Sequence, residues 1–294
     1  MQGVSPKVQA LLAVLTLVWG TNWPLFRIVL DELPVLTFRS ASLLASILTL
    51  AAILAIRRES FAVPRGKWPA LIGASMMNLA IWQVSTSLAV LYIPSGHASV
   101  LAYTMPLWVA PLGWLLFGQK PTGRLLVAVL IGAAAVAALM APNFASYAQA
   151  PWGLFWGLNA GFCWALGTFI VKRTAWPGMG LSLTFWQVAI SLPPILLGAI
   201  LFDGLPTRWP SAAVAAATIY TGVVPMSLGT ATWFALVKLL PTQVAALSSI
   251  AIPIVAIVSG IVLLGEPLTW LQAAAIASTV VSLWLALVPK ADGR

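Results

Sequence analysis

Stretches of about 20 apolar residues recur ten times along this chain, and that pattern leaves little freedom in what it can fold into. A hydrocarbon core roughly 30 Å thick is crossed by about 20 residues of helix. A helix also satisfies its own backbone hydrogen bonds where lipid offers no partner. The stretches lie at approximately 9–29, 34–56, 69–90, 97–117, 123–141, 152–172, 181–203, 211–236, 242–264 and 270–288. Short loops and two short tails remain, with no room for a soluble domain. Charged residues make up 7% of the chain and hydrophobic ones 61%, whereas a soluble domain carries roughly a quarter charged. The expectation is an all-α integral membrane protein with ten transmembrane helices.

Lys7 ahead of the first stretch resembles the start of a secretory signal. Trp19, Asn22 and Trp23 then stand where small residues suited to cleavage would be, so the segment is read as span one. Cys163 is the sole cysteine, which rules out an intrachain disulfide and a cysteine metal site. No metal ligand set and no cofactor motif is read anywhere.

The formal net charge of +9 would suggest nucleic acid in a soluble protein; here its placement gives a different account. With the N-terminus inside, Lys7, Arg57, Arg58, Arg65, Lys67, Lys120, Arg124, Lys172, Arg173, Lys238, Lys290 and Arg294 fall on the inner side, 12 of the 15 Lys and Arg. Arg27, Arg39 and Arg208 fall outside, as do the acids Asp31, Glu32, Asp203 and Glu266. This is the positive-inside asymmetry. It predicts an even number of spans with both termini cytoplasmic, in a bacterial inner membrane, and no nucleic-acid partner.

Two halves, 1–147 and 148–294, resemble each other at an offset of about 147. Pro94, Ala98, Pro106, Gly118 and Thr122 match Pro241, Ala245, Pro253, Gly265 and Thr269. Leu36-Thr37-Phe38 returns as Leu183-Thr184-Phe185, Trp19 pairs with Trp164 at a slightly smaller offset, and Trp68-Pro69 resembles Trp209-Pro210. Five spans per half is an odd number, so the second half enters the membrane inverted. Two inverted five-helix repeats are a common plan of secondary transporters, with substrate held where the halves meet.

Several motifs carry a family resemblance over essentially the whole chain. They are L-L-G-E-P-L-T at 263–269 with its weaker copy L-F-G-Q-K-P-T at 116–122, W-G-x-N-W at 19–23, T-F-R at 37–39 and A-V-L-Y-I-P at 89–94. Together they resemble the drug/metabolite transporter superfamily, as two EamA-type five-helix units. The density of tryptophan and the Trp19/Trp164 pair are similar to YddG-like aromatic amino acid exporters. Gln119 departs from the glutamate common in the family, which its counterpart Glu266 keeps. The resemblance implies export of a small metabolite.

Trp19, Asn22, Trp23 and Phe26 share one helical face by spacing. The matching face of span six carries Trp164, Gly167 and Thr168. Span three offers Asn78, Trp82 and Gln83; span four Ser99, Tyr103 and Pro106; span eight Tyr220, Ser227 and Thr230; span nine Thr242, Ser248, Ser249 and Pro253. Amides at membrane depth need a partner or water, and the bland alternative is helix-to-helix adhesion. Trp152, Trp156, Trp209 and Trp270 lie near span ends and suit interfacial anchoring. Trp19, Trp82 and Trp164 are too deep for that role and suit an aromatic wall. Trp19, Asn22, Trp23, Asn78, Trp82, Gln83, Tyr103, Trp164, Thr168, Tyr220 and Ser249 are therefore the substrate-site candidates. Pro106 and Pro253 each remove a backbone donor and are candidates for a helix bend.

No Asp, Glu, Lys or Arg lies near the centre of a predicted span, which disfavours proton-coupled exchange of cations. His97, the sole histidine, sits at the outer start of span four. Arg39 and Glu266 lie at outer span ends in opposite halves, while their repeat counterparts Trp186 and Gln119 are uncharged. An outer ion pair between Arg39 and Glu266, biasing a gate, is one expectation; pairing of Arg39 with Asp31 or Glu32 is the other. The sequence reads best as a transporter of neutral or zwitterionic metabolites, aromatic and other amino acids foremost, by alternating access with or without coupling. A drug or nucleoside carrier is the alternative, and the sequence leaves the oligomeric state open, a monomer included. One His, one Cys and no buried carboxylate speak against an enzyme, and deep amides with matched prolines speak against a scaffold.

Overall fold

In the computed structural model, residues 6–118, 150–204, 208–239 and 251–266 are described as continuous segments. All of the regular structure in them is helical. Helix α1 spans Pro6–Leu30 and α2 spans Val35–Arg57; α3 (Trp68–Ser75) runs through a π-helical segment, Met76–Ile81, into α4 (Trp82–Tyr92). Next come α5 (Ser95–Ala102), α6 (Met105–Phe117) and α7 (Pro151–Arg173). Helix α8 (Leu181–Gly198) ends in a π-helical segment, Ala199–Asp203; α9 (Ala212–Thr221) passes through another, Gly222–Gly229, into α10 (Thr230–Leu239). Helix α11 spans Ala251–Leu264.

Among the described residues six continuous helices are long and apolar enough to cross a membrane: Val8–Leu30, Val35–Arg57, Trp68–Tyr92, Pro151–Arg173, Leu181–Asp203 and Ala212–Leu236. They coincide with expected spans one, two, three, six, seven and eight. Expected span nine is represented by the shorter apolar helix Ile252–Leu264. Span four differs from its expectation. It is broken into α5 and α6 at Tyr103 and Thr104, because Pro106 has no N–H to continue the first helix and instead sits in the opening turn of the second. Spans five and ten, 123–141 and 270–288, lie outside the described residues, so the count of ten is not reached in what the structure describes.

The repeat offset carries Met76–Ile81 onto 223–228, inside the segment Gly222–Gly229. The third helix of each half thus changes pitch at the same place. Pro225 lies in the second of these segments, where the missing N–H favours the wider hydrogen-bond spacing of a π-turn.

Small residues set how closely the helices approach, as expected where lipid removes the hydrophobic drive between them. On α7, Gly153, Gly157 and Gly161 fall four residues apart, and added Cβ atoms would meet Ile93, Leu101 and Thr104. Gly20 lets α1 close on Val255 of α11, and Gly222 lies against the Ser42 carbonyl of α2. Hydroxyls tie the same interfaces: Ser46 and Ser227 are 2.8 Å apart, and Ser191 donates to the Ser75 carbonyl at 3.1 Å. Pro24 leaves the Gly20 carbonyl without its helical donor, and the Ser259 hydroxyl approaches that oxygen at 3.4 Å.

The bundle closes differently at its two ends. At the acidic end, three carboxylates receive backbone N–H and hydroxyl hydrogens at the start of helices from the other half. Asp203 accepts from Thr37 N (2.7 Å) and Oγ1 (2.9 Å), Glu266 from Ser95 N (3.1 Å) and Oγ (2.8 Å), and Glu32 from Ser211 N and Oγ (both 2.7 Å). Negative charge at a helix start is favoured by the exposed N–H groups and the dipole. The Ser211 backbone and hydroxyl donors accordingly hold the Glu32 carboxyl below its ordinary 4.5. At the opposite, basic end the closure is aromatic. Trp186 donates to the Phe61 carbonyl at 2.7 Å and packs edge-on against Trp68 with centroids 5.2 Å apart, while Phe61 and Phe185 meet at 5.1 Å.

Candidate functional site

Between the two ends, α1, α4, α7 and α10 each direct a tryptophan to one place. Trp19, Trp82, Trp164 and Trp233 line a cavity completed by Tyr103, Met105 and Ala102 at the break of span four. Its walls are almost wholly apolar, and they leave room for about one water molecule. The Trp19 and Trp164 rings meet edge to face at 5.8 Å, Trp82 and Trp164 are 5.0 Å apart, and Trp233 lies 5.7 Å from Trp19 and 6.3 Å from Trp164. Such tilted and edge-on pairs are the favoured geometry for aromatic quadrupoles.

Local chain structure explains the convergence. In the π-helical segment before α10 the Pro225 carbonyl accepts from the Trp19 indole N–H at 2.9 Å. Gly229, with no Cβ, makes space for the same ring; a methyl there would meet the Trp19 indole nitrogen. Tyr103 is held where α5 ends, its N–H bonded to the Ser99 carbonyl at 2.9 Å. The Trp233 indole nitrogen is buried and has no hydrogen-bond partner, and the same holds for Thr168 Oγ1 on α7.

The sequence candidates divide into groups. Trp19, Trp82, Tyr103 and Trp164 line the cavity. Trp23 is one layer back, 6.1 Å from Tyr103 and 5.5 Å from Phe26. The three amides bridge helices away from the cavity: Asn22 accepts from Thr221 (3.0 Å), Asn78 donates to Gln187 (3.3 Å), and Gln83 approaches the Met226 sulfur at 3.4 Å. Tyr220 is 36% exposed on α9 and stands apart from the cavity, which corrects its expected place on the inner face. Ser249, with Thr242 and Ser248, lies outside the described residues. Pro253 lies in α11. Trp233, Met105 and Gln187 are additions that sequence reasoning missed.

Arg39 and Glu266 do not pair. Glu266 is engaged with Ser95, and Arg39 donates from Nε to Ser87 (2.6 Å) and from Nη2 to Thr86 (3.1 Å). Asp31 sits 3.5 Å from Arg27 and Glu32 binds Ser211, so neither alternative partner holds Arg39. The guanidinium is 0% exposed and lies over the Phe26 and Phe38 rings, 4.0 and 4.6 Å from their centroids. Among the described residues no cluster of His, Cys, Asp and Glu suited to a metal occurs.

Comparison with known proteins bears on what such an arrangement does. The model of the EamA-like transporter family matches residues 7–141 and again 151–288. The chain is 27% identical to the "Uncharacterized transporter YvbV" of Bacillus subtilis (strain 168), over 95% of this chain and 92% of that one. It is 26% identical to the "Probable amino-acid metabolite efflux pump" of Salmonella typhimurium, with 96% and 95% covered. It is 31% identical to the "Probable terminal-alkyne amino-acid exporter" of Streptantibioticus cattleyicolor, with 86% and 84% covered. A solved crystal structure shares the fold at a TM-score of 0.71 and 18% identity, covering 96% of this chain and 97% of that one. The tryptophan-lined centre therefore belongs to an integral membrane transporter, not an enzyme, and the chain is a member of the EamA-like transporter family.

Proposed function

We propose that this transporter exports amino acids with aromatic or large apolar side chains across the bacterial inner membrane. The observation that carries the reading is the convergence of four indoles and Tyr103 on one central cavity. Flat, polarisable walls suit a ring-bearing cargo. The relatives' names for amino-acid efflux support the class of cargo. The positive-inside bias of Arg57, Arg58, Lys172 and Arg173 supports an orientation with the acidic end outside and both termini in the cytoplasm.

We read the narrow cavity, with room for about one water molecule, as a contracted state of an alternating-access cycle. A cargo of amino-acid size enters when the walls part, and the break at Tyr103–Thr104 gives span four a place to flex. No described carboxylate lines the cavity, which favours facilitated transport without proton exchange.

The test is flux in proteoliposomes. Labelled phenylalanine and tryptophan are expected to exchange saturably and faster than threonine or a nucleoside, with no dependence on a proton gradient. Replacing Trp164 with alanine should weaken phenylalanine flux more than threonine flux. Preferred nucleoside flux would move the protein to the drug and nucleoside class, and gradient-driven flux would overturn the uncoupled mechanism.

A further inference from the structure

Arg39 presents a chemical problem the transport reading leaves open. A guanidinium carries five N–H donors and no acceptor. Removing its charge from water costs more than two neutral hydroxyl acceptors return. Ser87 and Thr86 take Nε and Nη2, and Phe26 and Phe38 offer their ring faces, but Nη1 is buried with no hydrogen-bond partner among the described residues. The Thr86 hydroxyl hydrogen is itself spent on the Gln83 carbonyl at 3.1 Å, so its oxygen is oriented to accept from the guanidinium. The five described acids do not supply the missing charge. Asp31 is with Arg27, Glu59 with Arg57, and Glu32, Asp203 and Glu266 each cap a helix; Asp292 lies outside the described residues.

The position is as telling as the chemistry. From the cavity, Tyr103 touches Trp23, Trp23 touches Phe26, and Phe26 lies flat beneath the Arg39 guanidinium. Two rings therefore separate the cavity from an unpaired cation. Both are carried by α1 and flank Pro24, where the helix lacks one backbone hydrogen bond. A small rotation of that turn would move Trp23 and Phe26 together.

We propose that Arg39 is a carboxylate-binding station on the route between the cavity and the acidic end, reached when Trp23 and Phe26 swing aside. The planar fork that a carboxylate fits would take the α-carboxylate of the cargo, with Phe26 and Phe38 against its apolar part. This rests on the amino-acid reading above and extends it. It specifies a cargo with a free carboxylate and gives that group a named partner.

The experiment compares acid and amide pairs, phenylalanine with phenylalaninamide and 3-phenylpropionate with 3-phenylpropionamide, by ligand-induced Tm shift of the purified full chain and by flux in proteoliposomes. The acids should act at roughly ten- to a hundredfold lower concentration than their amides, the range expected for a charged hydrogen bond. Arg39→Gln should abolish that preference. Arg39→Lys keeps the charge but not the fork, and should reduce it about tenfold; this variant decides the matter if Arg39→Gln fails to fold. Equal action of acid and amide on the natural protein, or an unchanged preference in Arg39→Lys, overturns the proposal. The two readings fail separately. Acid-selective Tm shifts without amino acid flux would keep the station and remove the cargo assignment, and amino acid flux indifferent to the carboxylate would do the reverse.

Discussion

Trp19 and Trp233 are neighbours in the cavity wall, 5.7 Å apart, with their indole nitrogens treated differently. Trp19 donates to the Pro225 carbonyl, which fixes its ring to the other half of the molecule. Trp233 donates to nothing although it is buried. An unsatisfied buried donor is a standing cost, tolerated where a group is kept for another task. Trp233→Phe removes that donor and keeps an aromatic ring, so detergent-solubilised protein should keep its stability to within about 1 kcal/mol. Phenylalanine flux should nonetheless fall several-fold if the cargo meets that N–H. Trp19→Phe is the contrast, since it makes the same change of volume but also breaks a made hydrogen bond, and should cost about 1 kcal/mol more than Trp233→Phe. Thermal melts and flux on the same two preparations check both outcomes, and equal losses of stability would contradict the assignment.

Among the elements, the carboxylate clasps have a pH signature. Glu32 is held below its ordinary value by the Ser211 donors. Its contribution is therefore complete above that ordinary value of 4.5 and is lost as pH falls through the lower folded value. Melting temperature should be flat through neutrality and decline in acid, and Glu32→Gln should flatten part of that decline. A melt of the variant with the same acid slope as the natural protein would show that the clasp contributes nothing. How far the elements could be read from the chain depends on which physical rule governs them. Spans one, two, three, six, seven and eight were legible because lipid enforces length and apolarity. Trp19, Trp23 and Phe26 were legible because α1 stays α-helical through them despite Pro24, so a 3.6-residue wheel holds. The wheel fails through Gly222–Gly229, where wider π-turns rotate the following face by about 100° per extra residue. That rotation carries Trp233, which follows the segment, onto the cavity side and off the face expected from Tyr220, which precedes it. Gln187, the partner of Asn78, carried no signal, because a helix-bridging amide has the same composition as a binding one. The opposite error befell Arg39: a charge five residues into a span looked like an end residue, and only the packing of Phe26 and Phe38 shows it buried.

The molecule as a whole has two doors made of different chemistry. The acidic end is held by six hydrogen bonds to three carboxylates, and the basic end by the rings of Phe61, Trp68, Phe185 and Trp186. If the halves rock about the central cavity, weakening one door favours the state open on that side, by as much as the lost interactions favoured closure. Charge-assisted bonds of this kind contribute about 1.5–3 kcal/mol each where water is excluded and less at an exposed end. Asp203→Asn with Glu266→Gln should therefore shift the balance about tenfold toward opening at the acidic end. Trp186→Ala should shift it toward the basic end, by loss of ring packing and of the bond to Phe61. A cysteine in place of Tyr103, in a chain whose Cys163 has been changed to alanine, reports the shift through a membrane-impermeant thiol reagent added on one side at a time. The clasp variant should label faster from the side the acidic end faces and the Trp186 variant faster from the other. Faster labelling from both sides in either variant would mean that the doors open independently, and the halves would then not move as a single rocking pair.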